Sequence, residues 1–253
     1  MKHEGIPMIR VIEKLDSYYA KNDTDGALRH ILYWIEEAKA YNDNAGLFTL
    51  YNELMGHCRK EGLEKEAFEA VESALELIPM LGLENTMSAA TAYINTATVY
   101  TAFEKAAEGL PYFDKAAEIL ENSPESDDFR LASLYNNMAS AVWSTGDFSK
   151  AEGLYNKALR IMEEYPGGEI QRAVTYLNMA NMFEAKLGLE GGKFEIEKCM
   201  ETARKMFDCP SLERGSYYAY ASNKAVPVFE HYGYGDYAAE LAARAEKIYA
   251  QNA

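Results

Sequence analysis

Asparagine is the residue whose spacing in this 253-residue chain most plainly suggests chemistry. Asn95, Asn137 and Asn178 each stand two places after a tyrosine, and those tyrosines, Tyr93, Tyr135 and Tyr176, are 42 and 41 residues apart. Asn223 holds about the same slot in a last copy, with one residue of slip, while Asn52 and Asn136 sit one place earlier. Asparagine is a mediocre helix former, so its recurrence inside helical patterns asks for a reason. A side-chain amide carries one acceptor oxygen and two donor hydrogens, enough to pair with both the C=O and the N–H of one peptide unit. A ladder of such amides would hold an extended main chain with modest dependence on its sequence. The same groups could instead bridge neighbouring helices and stiffen the fold.

No catalytic constellation accompanies them. Gly188-Leu-Glu-Gly-Gly-Lys193-Phe looks like a phosphate loop, but the required spacing would need glycine at Leu187 and serine or threonine at Phe194. The four histidines, His3, His30, His57 and His231, are far apart and form no HExxH pair. There is no GxSxG motif. Acidic pairs such as Glu36-Glu37 and Asp127-Asp128 read as helix surfaces or ends. Cys58, Cys199 and Cys209 show no CxxC spacing, which argues against a disulfide framework or a zinc site. Cys58 and Cys199 fall in amphipathic stretches and are expected to be small buried hydrophobes. No enzyme activity, no cofactor and no metal is therefore expected.

Charge narrows the partners. The formal net charge is −15, from 25 Lys+Arg against 40 Asp+Glu. Phosphate binding needs a basic face, so nucleic acid and anionic membrane are poor partners, and a basic or neutral one fits better. No apolar run is long enough to span a bilayer. The opening MKHEGIPMIRVIEKLD has no apolar core of the secretory type, so a reduced, cytoplasmic setting is expected.

These residues must be positioned by a repeated element. Tyr93 to Tyr100, Tyr135 to Val142 and Tyr176 to Phe183 each read aromatic, x, Asn, x, Ala, x, x, large apolar, and an earlier copy starts at Tyr51. A second helix follows each copy. The clearest carries Ala151, Tyr155 and Ala158 on one face, with Gly146 to stop the preceding helix and Asp147 to cap the next. The face recurs as Ala67, Val71, Ala74, as Gly109, Phe113, Ala116, as Ile196, Met200, Ala203 and as Ala238, Ala242, Ala245. Six copies fill the chain. The reading is an all-α, single-domain solenoid over 1–253, with repeats near 6–42, 45–81, 85–122, 126–165, 168–208 and 212–251. That makes twelve helices in six antiparallel pairs. Pro227 lies inside a first helix, where a kink or early break is expected.

The segment from Ala132 to Glu163 resembles a tetratricopeptide repeat, with Tyr135, Met138, Ala139, Gly146, Phe148, Ala151, Tyr155 and Ala158 in the family's slots. The period near 42 exceeds the family's usual 34 or so. Lengthened repeats of this kind are similar to those of kinesin light chain and of bacterial peptide-sensing regulators. The resemblance implies a right-handed α-α superhelix whose first helices line a concave groove. It implies a peptide-binding role for Asn95, Asn137, Asn178 and Asn223, with Asn52 and Asn136 beside them. One turn along the same face come Thr98, Ser140 and Asn181, then Trp143 and Glu184. Trp143 is expected at the groove as an anchor for an apolar ligand side chain, with core packing the alternative. Glu53, Glu184 and Glu230 would favour a ligand carrying Lys or Arg.

The reading that follows is a non-enzymatic scaffold holding an extended peptide segment through an asparagine ladder. Its rival is an assembly protein that forms a homo-oligomer or docks a folded partner through its convex face or its ends. A third reading is an intracellular peptide sensor acting on a separate effector.

Overall fold

The computed structural model describes residues 5–21, 23–124 and 126–251. Twelve α-helices and no strand occur among them. They fall in two compact units, Met1–Glu125 and Ser126–Ala253.

The first unit holds α1 (Met8–Tyr19), α2 (Thr24–Tyr41), α3 (Asn44–Glu61), α4 (Glu64–Leu81), α5 (Met87–Ala102) and α6 (Ala106–Asn122). Each odd-numbered helix packs on the even-numbered helix after it, and α3 and α5 also stack on each other. Small residues set the approach of the pairs. Ala67 and Ala74 are fully buried on α4, and Ala116 on α6 beside the fully buried ring of Phe113. The helix starts are fixed by short polar side chains: Asp23, Asp43 and Thr86 each accept a hydrogen bond from the backbone N–H three residues on. Asp43 also accepts from the Ile6 backbone N–H at 3.0 Å, which ties the chain ahead of α1 to the start of α3.

The second unit holds α7 (Asp128–Ser144), α8 (Phe148–Glu164), α9 (Glu169–Gly191), α10 (Lys193–Phe207), α11 (Ser216–His231) and α12 (Gly235–Gln251). Pairing repeats here: α7 with α8, α9 with α10, α11 with α12, and the first helices α7, α9 and α11 stack in order. The expected Asp147 cap is present, accepting from the Lys150 N–H at 3.0 Å. Ala151, Tyr155 and Ala158 form the buried face of α8. Cys58 and Cys199 are buried, as small apolar residues on these faces should be. No helix among the described residues is long and apolar enough to cross a membrane.

One local expectation is corrected. Pro227 does not break its helix: α11 runs through it to His231. The carbonyl that loses its partner belongs to Asn223, and both Asn223 and Pro227 are exposed. Water can therefore satisfy the freed acceptor. The segment Leu189 to Gly191 is a further helical turn that continues α9. The turn is entered at Gly188, with φ 73° and ψ 166°, a backbone region essentially reserved for glycine.

Candidate functional site

The stacked first helices carry the asparagines, and the structure brings them together in pairs. On α3 and α5, the Asn95 Nδ2 donates to Asn52 Oδ1 at 3.0 Å, and the Asn52 amide donates in turn to the Phe48 carbonyl at 2.9 Å. On α7 and α9, Asn178 Nδ2 donates to Asn136 Oδ1 at 3.2 Å. Gln171 Nε2 bridges the same two helices to Ser133 Oγ at 3.1 Å. Asn136 is buried, so its oxygen needs a partner, and the neighbouring repeat supplies it. The bridging role is thus realised for four asparagines. Each bridge uses one amide hydrogen of its donor. Among the described residues the Oδ1 atoms of Asn95 and Asn178 have no hydrogen-bond partner.

The other candidates differ. Asn137 and Asn223 are exposed and make no hydrogen bond among the described residues. Thr98 turns back on its own helix, donating to the Asn95 carbonyl at 2.9 Å. Ser140 and Trp143 are both held by one buried phenol from the facing helix. Ser140 Oγ lies 2.9 Å from Tyr155 OH, and Trp143 Nε1 donates to it at 3.2 Å. Trp143 is therefore half-buried with its polar atom already used, and only part of its ring is open to a ligand.

Asn181 and Glu184 join a cluster that sequence reasoning missed. Tyr232, just past α11, places its hydroxyl 2.8 Å from Glu184 Oε2 and 3.0 Å from Asn181 Oδ1, and His231 Nε2 lies 2.8 Å from the same carboxylate oxygen. The partners are 47 to 51 residues apart, more than one repeat, so the repeat frame gave no signal for them. The Tyr232 hydroxyl, then His231, holds the Glu184 carboxyl below the usual carboxylate range. A carboxyl depressed in the folded state stabilises the fold above its unfolded value, near about 4, and that contribution is lost as pH falls through the folded value. Glu184→Gln is therefore expected to lower stability by about 1 kcal/mol at pH 7. The gap between variant and wild type should close as the medium is taken toward pH 3. Thermal melts at the two pH values check this, and a gap that persists in acid would show that the carboxylate is not the cause. Glu53 is the opposite case: burial, with Asp16 nearby, pushes its carboxyl up.

Among the described residues no group of three or more His, Cys, Asp or Glu side chains is placed to hold a metal ion. His57 and Cys58 do not act together. His57 Nδ1 pairs with Tyr19 OH at 3.2 Å, and burial pushes the Cys58 thiol up to about 11, where it is inert near neutrality.

The tetratricopeptide repeat family model matches residues 88–164 and, in an overlapping second match, 130–188. Comparison with curated proteins gives no match. Solved structures share the fold. BtubC (BKLC) from P. vanneervenii is 23% identical, with a TM-score of 0.63 over 78% of this chain and 81% of that one. The nearly identical TPR-like repeats of a Podosopora anserina putative kinesin light chain give 15% identity and a TM-score of 0.52, over 80% and 94%. A Rap protein complexed with Competence and Sporulation Factor gives 14% identity and a TM-score of 0.54, over 95% of this chain and 74% of that one.

Proposed function

We propose that this chain, tetratricopeptide-like in its repeats, is a non-enzymatic scaffold holding an extended peptide segment against its stacked first helices. The observation that carries this reading is the state of the amides on α7, α9 and α11. Among the described residues Asn137 and Asn223 are exposed without a partner, and Asn178 is fixed by its bridge with its oxygen unused. A group already held in one orientation loses less freedom when it binds, so a bridged asparagine suits a ligand contact as well as a structural one. Asn95, bridged to Asn52, offers the same group in the other unit. The fold relative solved as a complex, the Rap protein with its Competence and Sporulation Factor, supports a binding role of this kind. The net charge of −15 favours a basic segment.

The test separates bridge from ligand contact. Asn136→Ala removes only the bridge, and Asn137→Ala removes an exposed amide that holds nothing in the free protein. The double variant Asn137→Ala, Asn178→Ala is expected to lose at least tenfold in affinity for peptides selected by the wild type from a random extended library, since each lost hydrogen bond is worth about 0.5–1.5 kcal/mol. Circular dichroism confirms folding. Equal binding by wild type and folded double variant would overturn the reading. It would move the interaction to the exposed apolar side chains of the first helix pair, Ile9, Leu32, Tyr33 and Tyr41, which favour the assembly reading.

A further inference from the structure

The partner helices repeat a cationic slot six residues beyond the first small or apolar position of their buried face. On α6 it is Lys115, whose Nζ stands 5.3 Å from the ring centre of Tyr93 and 5.5 Å from that of Tyr112. On α8 it is Lys157, 4.6 Å from the ring centre of Tyr135 and 3.5 Å from its hydroxyl oxygen. On α12 it is Arg244, which donates to Tyr218 OH at 3.1 Å. Ser73 takes the slot on α4 and Thr202 on α10.

Thr202 is the informative case. Tyr176 is the repeat equivalent of Tyr93 and Tyr135, yet among the described residues no cation lies over its ring. Thr202 is too short to reach out, and its hydroxyl donates to the Lys198 carbonyl at 2.7 Å. In place of the missing side chain there is a cavity of about 400 Å³ between α8 and α10, floored by α9. Its walls include the rings of Tyr176, Phe183 and Phe194 and the carboxylates of Glu152 and Glu195. Phe194 is 74% exposed, an aromatic edge without a ring partner among the described residues. Lys198 also lines the cavity, against two carboxylates, so the lining stays net negative. The buried Cys199 thiol registers this balance. Burial is the main cause that raises it to about 12, Glu195 and Glu152 push it further up, and Lys198 opposes them.

We propose that this cavity receives the ammonium group of a lysine side chain from a partner protein, in the position that Lys115 and Lys157 occupy in their own repeats. Aromatic faces attract an ammonium through their negative quadrupole, and desolvation in a walled site strengthens the attraction. Glu152 and Glu195 supply the charge complement from opposite helices. The cavity is separate from the asparagine face. Tyr176 and Asn178 are two residues apart on α9 and so diverge by about 200°, and Tyr176, Met179 and Phe183 share the cavity side. Failure of one site therefore leaves the other intact.

The probe is an acetylated, amidated octapeptide of alternating Ala and Lys, titrated against the full chain carrying a 13C-labelled methionine methyl. The Met179 methyl resonance is expected to shift. The same peptide with acetylated lysines should bind at least tenfold more weakly. Thr202→Lys places the chain's own ammonium in the slot and should weaken binding at least tenfold. The double variant Glu152→Gln, Glu195→Gln should do the same without adding bulk, which guards against a folding artefact in the first. Equal binding of the acetylated peptide, or indifference to both variants, would overturn the proposal. So would a Met179 shift on concentrating the protein alone, because the lysine would then come from a second copy of this chain.

Discussion

Alanine in place of Tyr155 is expected to cost about 3–5 kcal/mol, the range for deleting a large buried ring. Phenylalanine there is expected to cost about 1–3 kcal/mol for a different reason. The ring fills the gap between α7 and α8 left by Ala151 and Ala158, and it is fully buried. Its removal leaves a cavity that two antiparallel helices cannot close without shifting. Phenylalanine keeps the ring and deletes only the hydroxyl, to which Trp143 Nε1 donates at 3.2 Å and from which Ser140 Oγ stands 2.9 Å. Both half-buried partners then lose their bond, so Tyr155→Phe should also free the Trp143 ring. Urea unfolding followed by circular dichroism reads the stability. Emission from Trp143 in a Trp34→Phe background reads the local change, with a red shift in Tyr155→Phe. An unshifted emission would mean that the phenol does not hold the indole. This matters for the proposed binding face, because the phenol of Tyr155 is what fixes the orientation of the Trp143 ring.

The repeat frame was open to reading because its residues are set by a local rule. A tyrosine, an asparagine and alanines returning every 41 or 42 residues require the same helix pair each time, and the observed helices lie within a few residues of the expected ones. The extra turn after Gly188 was harder, since Leu189 to Gly191 are exposed and carry none of the buried-face spacing that marks the other helices. The asparagine pairs depend on something the single repeat does not contain, the lateral register between successive first helices. Asn95 meets Asn52 across 43 residues and Asn178 meets Asn136 across 42, so the partner is the asparagine one slot earlier and not its repeat equivalent. That offset was visible, but only contact between helices gives it meaning. Tyr232 with Glu184 crosses more than a repeat, and the cavity beside Tyr176 lies where the slot carries Thr202 and not a lysine. Patterns report what is present, so a missing side chain becomes visible only when its neighbours are seen in place.

The joint between α8 and α9, where Gly167 is exposed and Gly168 buried, should respond sharply to substitution. Gly167 and Gly168 make the turn, and each is needed for a different reason. Gly167 has φ 77°, the left-handed region, with open space around it. Alanine there keeps its room and takes only the conformational cost, about 1–2 kcal/mol. Gly168 has an ordinary φ of −71°, but a Cβ on it would sit 2.2 Å from the Met162 carbonyl oxygen and 3.1 Å from that of Tyr165. Both obstacles are backbone, so relief requires moving the end of α8 away from the start of α9. Overpacking of this kind costs about 1–3 kcal/mol, and the displacement would carry Glu169 and the helix that bears Asn178 with it. Gly168→Ala is therefore expected to weaken peptide binding as well as stability, whereas Gly167→Ala should lower stability and leave affinity within twofold. Paired urea titrations and peptide titrations on the two variants decide the matter. If both lose stability and neither loses affinity, α9 does not carry the ligand. If Gly168→Ala alone loses affinity, the binding face depends on how α9 is seated against α8.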